Sequence, residues 1–285
     1  MVDRSGPRVQ KMFGQIAKHY DFLNHFLSGG IDILWRRAVV RRVKPALDPE
    51  SRILDVCTGT GDLALAFWKR WQVPVLATDF TPEMLEIARN KLEKAGISAD
   101  QIELAEADAS ALPFPDRSFQ IVSVAFGLRN IEDTKKGLSE MVRVCESGGT
   151  VAILEFSTPT FPPFRWIYHF YFRHILPRIG QMTAKNQFDA YYYLPDSVGE
   201  FPCGKALAKM MEDAGLSEVR FFPMTFGIAT LYTGVRPQDA ELGPQDAELG
   251  SQDAELGPQD AELGPQDAEL GPQDAELQNV PSRSE

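Results

Sequence analysis

Apolar and polar residues change period along the chain, and each change marks an element. Val9, Met12, Phe13, Ile16 and Tyr20 recur at helical spacing. Ile33, Leu34, Ala38, Val39 and Val43 repeat that pattern beyond a break at Gly29-Gly30, so residues 8–44 read as helical. From Arg52 onward, short apolar runs alternate with amphipathic stretches. The runs predict strands near 52–57, 74–79, 101–105, 119–125, 149–156, 218–223 and 227–234; the stretches predict helices over 61–71, 82–95, 132–146 and 203–214. Strands separated by helices of this length imply an α/β fold, a doubly wound and mostly parallel seven-stranded sheet with ligands at the C-terminal ends of its strands. The last two strands are joined by little more than Pro223-Met224-Thr225, too short for a parallel crossover, so they pair as an antiparallel edge hairpin.

Two regions stand outside this alternation. Residues 157–202 are densely aromatic, from Phe161-Pro162-Pro163-Phe164-Arg165-Trp166 to Tyr191-Tyr192-Tyr193. They suit either an insertion packed on the sheet edge or a lid for an apolar substrate that touches membrane lipid, and the cations Arg165 and Arg173 favour an interfacial segment over a spanning one. Residues 237–285 hold six near-identical heptapeptides of the type Pro-Gln-Asp-Ala-Glu-Leu-Gly. One Leu per copy and a Gly-Pro at most junctions argue against a coiled coil and for a disordered tail. The expected organisation is one domain over 1–236, with residues 1–50 as a helical cover and 157–202 as the aromatic insertion, followed by the acidic tail.

The tail also accounts for the charge. The chain of 285 residues has a net charge of −11, but residues 237–285 alone carry 13 acids and one base, leaving the rest close to neutral. Without a basic excess, nucleic acid is not an expected partner. Cys57, Cys145 and Cys203 are an odd number at unrelated spacings, which predicts neither a disulfide framework nor a zinc site. A start without an apolar core and the absence of a long apolar run predict neither a signal peptide nor a membrane span.

The densest chemistry lies in Ile53-Leu54-Asp55-Val56-Cys57-Thr58-Gly59-Thr60-Gly61-Asp62, a buried strand entering a glycine turn and then a helix. Gly59, Thr60 and Gly61 let a ligand approach the backbone closely. A phosphate loop presents amides and often a Lys; here the flanking groups are the carboxylates Asp55 and Asp62. They favour a cationic nucleoside such as S-adenosylmethionine (SAM), which carries a sulfonium and an ammonium and no phosphate. Asp79 ends the second strand just under twenty residues past the glycines, where a carboxylate holds a ribose diol, a device that NAD enzymes share. Asp108, at the end of the third strand, can accept from an adenine amino group while the Ala109 amide meets a ring nitrogen.

The phrase running from Asp108 through Leu112-Pro113-Phe114 and Asp116 to Ser118-Phe119 resembles one found in class I SAM-dependent methyltransferases, whose sheet ends in an antiparallel edge pair. Two further stretches are similar to the menaquinone/ubiquinone C-methyltransferase family over about 8–236. One is Tyr20-Asp21-Phe22-Leu23-Asn24-His25-Phe26-Leu27-Ser28, with Trp35 following. The other is Phe126-Gly127-Leu128-Arg129-Asn130, continuing to Arg143-Val144, Gly148-Gly149 and Leu154-Glu155-Phe156-Ser157. The chain departs from that pattern at Asp32, where the family usually has His before the Trp, and at Ala125, where some members place a Ser near SAM and only the backbone can serve here.

The resemblance implies methyl transfer from SAM to a ring carbon of a polyprenylated hydroquinone, demethylmenaquinol first and the ubiquinone precursor as the alternative. The three unpaired cysteines fit a reducing, cytoplasmic location, and the aromatic insertion adds peripheral contact at the inner face of the cytoplasmic membrane as a further expectation. Arg129 and Asn130, just past the fourth strand, become the catalytic candidates: Arg129 to stabilise a phenolate or poise a water, Asn130 to orient it. An ion pair of Arg129 with Glu132 or Asp133 is the structural alternative. Tyr20 and Asp21 from the cover and His169 from the insertion are candidates for substrate contact, although Tyr20 and His169 equally suit packing. His19, His25 and His174 show no ligand spacing, and no metal is expected. A methyltransferase for another lipophilic molecule, a SAM-binding regulatory protein and a NAD-dependent oxidoreductase are the competing readings.

Overall fold

A computed structural model of the chain describes residues 2–48, 50–159, 162–170 and 188–238. All but the first two positions of the heptapeptide tail, and with them its expected disorder, lie outside the described residues. Seven strands form one sheet: β1 (Ile53–Val56), β2 (Val75–Asp79), β3 (Ile102–Glu106), β4 (Phe119–Ala125), β5 (Cys145–Phe156), β6 (Ser217–Met224) and β7 (Ala229–Val235). Their order is β3-β2-β1-β4-β5-β7-β6, with β1 to β5 parallel and β7 antiparallel to both β5 and β6. Both the doubly wound sheet and its antiparallel edge follow the pattern read in the sequence.

The helices are α1 (Gly6–Ser28), α2 (Ile31–Arg42), α3 (Asp62–Trp71), α4 (Pro82–Lys94), α5 (Thr134–Val144), α6 (Pro162–Phe170), α7 (Phe188–Glu200) and α8 (Lys205–Asp213). Gly29 and Gly30 separate α1 from α2 with φ of 60° and 78°, a left-handed pair that side chains with a Cβ rarely adopt. All four residues of β1 are buried, as a central parallel strand covered on both faces requires. Its alternation splits the core in two. Ile53 packs with Trp35, Val39, Leu63 and Phe67 of α2 and α3; Leu54 and Val56 pack with Leu138, Met141, Leu207 and Met211 of α5 and α8.

Two expected boundaries move. The helix expected over 132–146 ends at Val144, and β5 begins at Cys145 instead of near 149. The added residues enter through a register shift against Phe119 and Ile121, where Gly148 takes a φ of 76°. A Cβ on Gly149 would stand 2.8 Å from the Gln120 carbonyl oxygen, so backbone fills the space where a side chain would go. Pro223 and Met224, read as the hairpin connection, belong to β6, and Thr225–Gly227 makes the turn. β6 pairs with β7 alone, and a proline is tolerated on such an edge strand because one side of it has no ladder to break.

Candidate active site

Beyond the C-terminal ends of β1, β2 and β4 lies a cavity of about 390 Å³, within the range of small-molecule sites. Cys57, Gly59, Asp79, Asp108, Ala109, Ala125, Gly127 and Asn130 line it, and Val9, Phe13 and Tyr20 of α1 roof it. Two turns make the floor. Cys57 and Phe126 follow β1 and β4 with φ of 52° and 58°, a strained conformation for residues with a Cβ. The turns approach so closely that a Cβ on Gly127 would sit 2.4 Å from that of Cys57. Gly127 is therefore required by contact, and the motif containing it is held against the glycine turn.

The cofactor candidates divide into those that face this space and those behind it. Asp79 faces it, accepting from the Gly59 amide at 2.8 Å and the Thr81 amide at 2.9 Å. Burial pushes its carboxyl above the usual range, against the opposing pull of these amides. Asp108 accepts from the Ser110 amide at 2.8 Å, and Ala109 and Ala125 also reach the cavity. Asp55, Thr60 and Gly61 lie behind the lining. Asp55 is 1% exposed and accepts from Thr58 Oγ1 at 2.7 Å and Ser123 Oγ at 2.8 Å, so its carboxylate ties the glycine turn to β4. Burial raises its pKa to about 6. Gly61 precedes α3 with a φ of 81°.

Charge at the lining discriminates among ligands. Asp79, Asp108, Glu132 and Asp133 face the cavity, with Lys136 as the single cation among the described residues. Such a lining attracts a sulfonium and an ammonium and repels a pyrophosphate. The residues present thus fit SAM.

The second wall gathers around Arg129. This residue is 5% exposed and its Nη1 donates to Glu155 Oε1 at 2.8 Å and to the Phe126 carbonyl. Its partner is Glu155 of β5, not the neighbouring Glu132 or Asp133 that the sequence suggested. The guanidinium lies 5.2 Å from the centre of the Phe156 ring, within cation–π range, and the Phe156 ring packs against that of Phe126 with centres 4.4 Å apart and planes tilted by 32°. Asn130 lines the cavity, donates Nδ2 to the same Phe126 carbonyl at 3.3 Å, and accepts from the Tyr193 hydroxyl of α7 at 3.0 Å. Burial raises Tyr193 above its ordinary value, so the phenol stays protonated and able to donate. Tyr193 and Glu155 lie in stretches noted in the sequence but were not read as site residues; a carboxylate inside the apolar run of β5 was the available signal. His169 lies within α6, and its side chain falls outside the described residues.

Polar contacts hold the cover in place. The Gly6 amide donates to Glu132, Gln10 to the Phe80 carbonyl, and Thr60 Oγ1 to Asp21 at 2.5 Å. Lys91 of α4 pairs with Asp21 and with Asp62, each at 2.6 Å. Buried Asp32 accepts from Arg36 at 2.5 Å, contacts His25 at 2.7 Å and accepts from Ser28 at 2.6 Å. Burial alone would raise the Asp32 carboxyl, but these partners hold it below the usual range. Asp21 thus anchors the cover on Thr60 and Lys91, while Tyr20 beside it reaches the cavity. Among the described residues no group of acids, histidines and cysteines could hold a metal ion, and no helix is long and apolar enough to cross a membrane.

Known proteins share the fold and much of the sequence. A Thermotoga maritima SAM-dependent methyltransferase shares the fold with a TM-score of 0.55 and 18% identity, over 80% of this chain and 99% of that one. A ubiquinone/menaquinone biosynthesis C-methyltransferase UbiE of Geobacter sp. (strain M21) is 46% identical over 82% of this chain and 99% of its own length. A demethylmenaquinone methyltransferase of Thermus thermophilus is 47% identical over 79% of this chain and 100% of its own. The model of the ubiE/COQ5 methyltransferase family matches residues 1–236, from the helical cover to the end of the sheet, and the chain belongs to that family.

Proposed function

We propose that the chain methylates a ring carbon of a polyprenylated hydroquinone, with demethylmenaquinol as the leading acceptor and the ubiquinone precursor ring as the second. The observation that carries this reading is a buried Arg129–Glu155 pair beside an Asn130 amide that reaches the cavity at the Gly127 turn. Asp79 would hold the ribose hydroxyls, Asp108 and the Ala109 amide the adenine, and the turn at Gly59 with the Ala125 backbone the methionine half. Asp55, Thr60 and Gly61 support these contacts from behind. Bound SAM supplies an electrophilic methyl carbon on its sulfonium.

An aromatic carbon attacks such a carbon once its neighbouring hydroxyl has lost a proton, and phenols titrate near pH ~10. The site must therefore favour the phenolate. The Arg129–Glu155 pair is neutral as a whole and fixes the Phe126 carbonyl behind the cavity, so the Asn130 amide is the donor that meets the phenolate oxygen, in a largely water-excluded wall where such stabilisation is strongest. Tyr193, by donating to the Asn130 oxygen, turns the Asn130 NH2 group toward the Phe126 carbonyl and the cavity, where it can donate to the acceptor oxygen. Tyr20 and Phe13 from the cover, with rings 6.0 Å apart, close the space over the ring and exclude water. The new C–C bond would form as the methyl–sulfur bond breaks, with S-adenosylhomocysteine as the leaving thioether; the ring carbon then loses its hydrogen as a proton to water, and the quinol is left one methyl group larger.

A polyprenyl tail keeps the acceptor in a bilayer, so peripheral membrane contact belongs to the same reading, and exposed Trp166 on α6 suits it. The test is methyl transfer from labelled SAM to a reduced, short-chain demethylmenaquinol. Labelled methylated quinol is the expected product. Binding of SAM without turnover on either quinol ring would overturn the proposal.

A further inference from the structure

Apart from the cofactor cavity, α2 and α3 enclose a second depression of about 470 Å³. Arg37 and Arg41 project into it from α2, Lys69 and Arg70 from α3, and all four are exposed. The other charged groups there are committed within the fold: Arg36 to Asp32 and Asp62, Asp62 to Lys91, and His25 to Asp32. Arg70 stacks on the Trp71 ring at 4.1 Å, while Arg37, Arg41 and Lys69 have no carboxylate partner among the described residues. Like charges one helical turn apart, as Arg37 and Arg41 are, repel each other and destabilise α2. In a body close to neutral overall, this concentration of cations is a local feature that general basicity does not explain.

Apolar groups stand beside the cations. Ile33 forms part of the depression and is itself exposed; Leu34, the next residue, is 58% exposed. The Trp35 indole donates to Thr225 Oγ1 at 2.8 Å, tying α2 to the β6–β7 turn, where Phe226 is 71% exposed. Exposed cations flanking exposed large apolar side chains are the composition of a surface that rests on an anionic bilayer.

We infer that the α2–α3 face docks on an anionic membrane. Phospholipid phosphates occupy the depression between Arg37, Arg41, Lys69 and Arg70, and Ile33 and Leu34 enter the boundary between headgroups and acyl chains. The inference rests for its purpose on the quinol reading, since only a bilayer-bound acceptor gives the enzyme reason to visit the surface. Its test is independent of turnover.

The full chain is sedimented with vesicles of phosphatidylcholine alone and of phosphatidylcholine mixed with phosphatidylglycerol. Binding is expected to the mixed vesicles only and to weaken as salt is raised. The double variant Arg37→Gln/Arg41→Gln should lower partitioning about twenty-five-fold, each cation contributing about fivefold, and leave turnover on a water-soluble short-chain quinol unchanged. Equal binding to neutral vesicles, unchanged binding by the double variant, or binding of inorganic phosphate without vesicle binding would overturn the inference. Arginine-dependent vesicle binding by a protein inactive on every quinol would uphold the docking surface and overturn the acceptor assignment instead.

Discussion

The wall of the cavity at Asp79 and the wall at Asn130 satisfy their polar groups in different ways. Asp79 is held by backbone amides, those of Gly59 at the neighbouring strand end and of Thr81 two residues on. Arg129 and Asn130 depend on side chains from distant elements, Glu155 on β5 and Tyr193 on α7. A wall made of backbone is fixed once the sheet has formed. A wall made of side chains needs the edge of the sheet and the insertion to be in place as well. The cofactor half should therefore survive substitutions that disable the acceptor half.

The largest expected effect comes from breaking the buried pair. Glu155 is 1% exposed, and Glu155→Ala leaves the Arg129 guanidinium buried without its counter-ion. Urea unfolding should show a loss of about 3–5 kcal/mol, while Glu155→Gln, which keeps an acceptor for Arg129, should lose less. A loss below about 1 kcal/mol for the alanine variant would mean that water reaches the pair.

On the cofactor side, Asp55 sharpens the contrast through pH. Its folded pKa of about 6 lies above the ordinary 3.8. Between these values the folded chain keeps a proton that the unfolded chain has released. Stability from this group is therefore greatest at low pH and falls as pH rises from 3.8 to about 6, by up to about 3 kcal/mol. Asp55→Asn should remove this slope when unfolding is followed across that window, and an unchanged slope would assign it to another group.

Asp79→Asn retains the shape of the side chain and removes the charge offered to a ribose diol. Calorimetric titration with SAM should show affinity weakened by about 1.5–3 kcal/mol, the range for hydrogen bonds to a charged group. Tyr193→Phe should act on the other wall alone: loss of one hydrogen bond to Asn130 lowers kcat by about 0.5–1.5 kcal/mol in activation free energy, with SAM affinity unchanged. The smallest effect is expected from ending the chain after Arg236. Turnover and Tm should stay nearly constant, because the family match ends at 236 and the sheet is complete at β7.

This contrast also explains what could be read from the sequence. Asp79 and Asp108 were legible because an apolar run shows where a strand stops, and in a parallel sheet the strand end is the ligand end. The role of Asp55 was harder to read: its partner Ser123 lies 68 positions away, and nothing local tells a carboxylate facing a ligand from one bonded behind the turn. Arg129 was matched to Glu132 and Asp133 because they are adjacent. Pairing of β4 with β5, which sets Ala125 opposite Leu154, instead brings Glu155 to it. Tyr193 sits in a run of three tyrosines, where period alone cannot say which ring turns inward. Asp32 and Arg36, four apart on α2, were open to reading as an ion pair, and the cover's anchoring rests partly on them.

Cofactor binding and acceptor activation belong to separate walls of the cavity, and Asn130→Ala tests that division most directly. SAM affinity and the single-turnover rate of methyl transfer to a reduced short-chain demethylmenaquinol are measured on the same preparation. Affinity is predicted to stay within about twofold while the transfer rate falls about a hundredfold, the loss typical of one preorganised donor at a developing oxyanion. Parallel losses in both, or a rate unaffected by the substitution, would contradict the division.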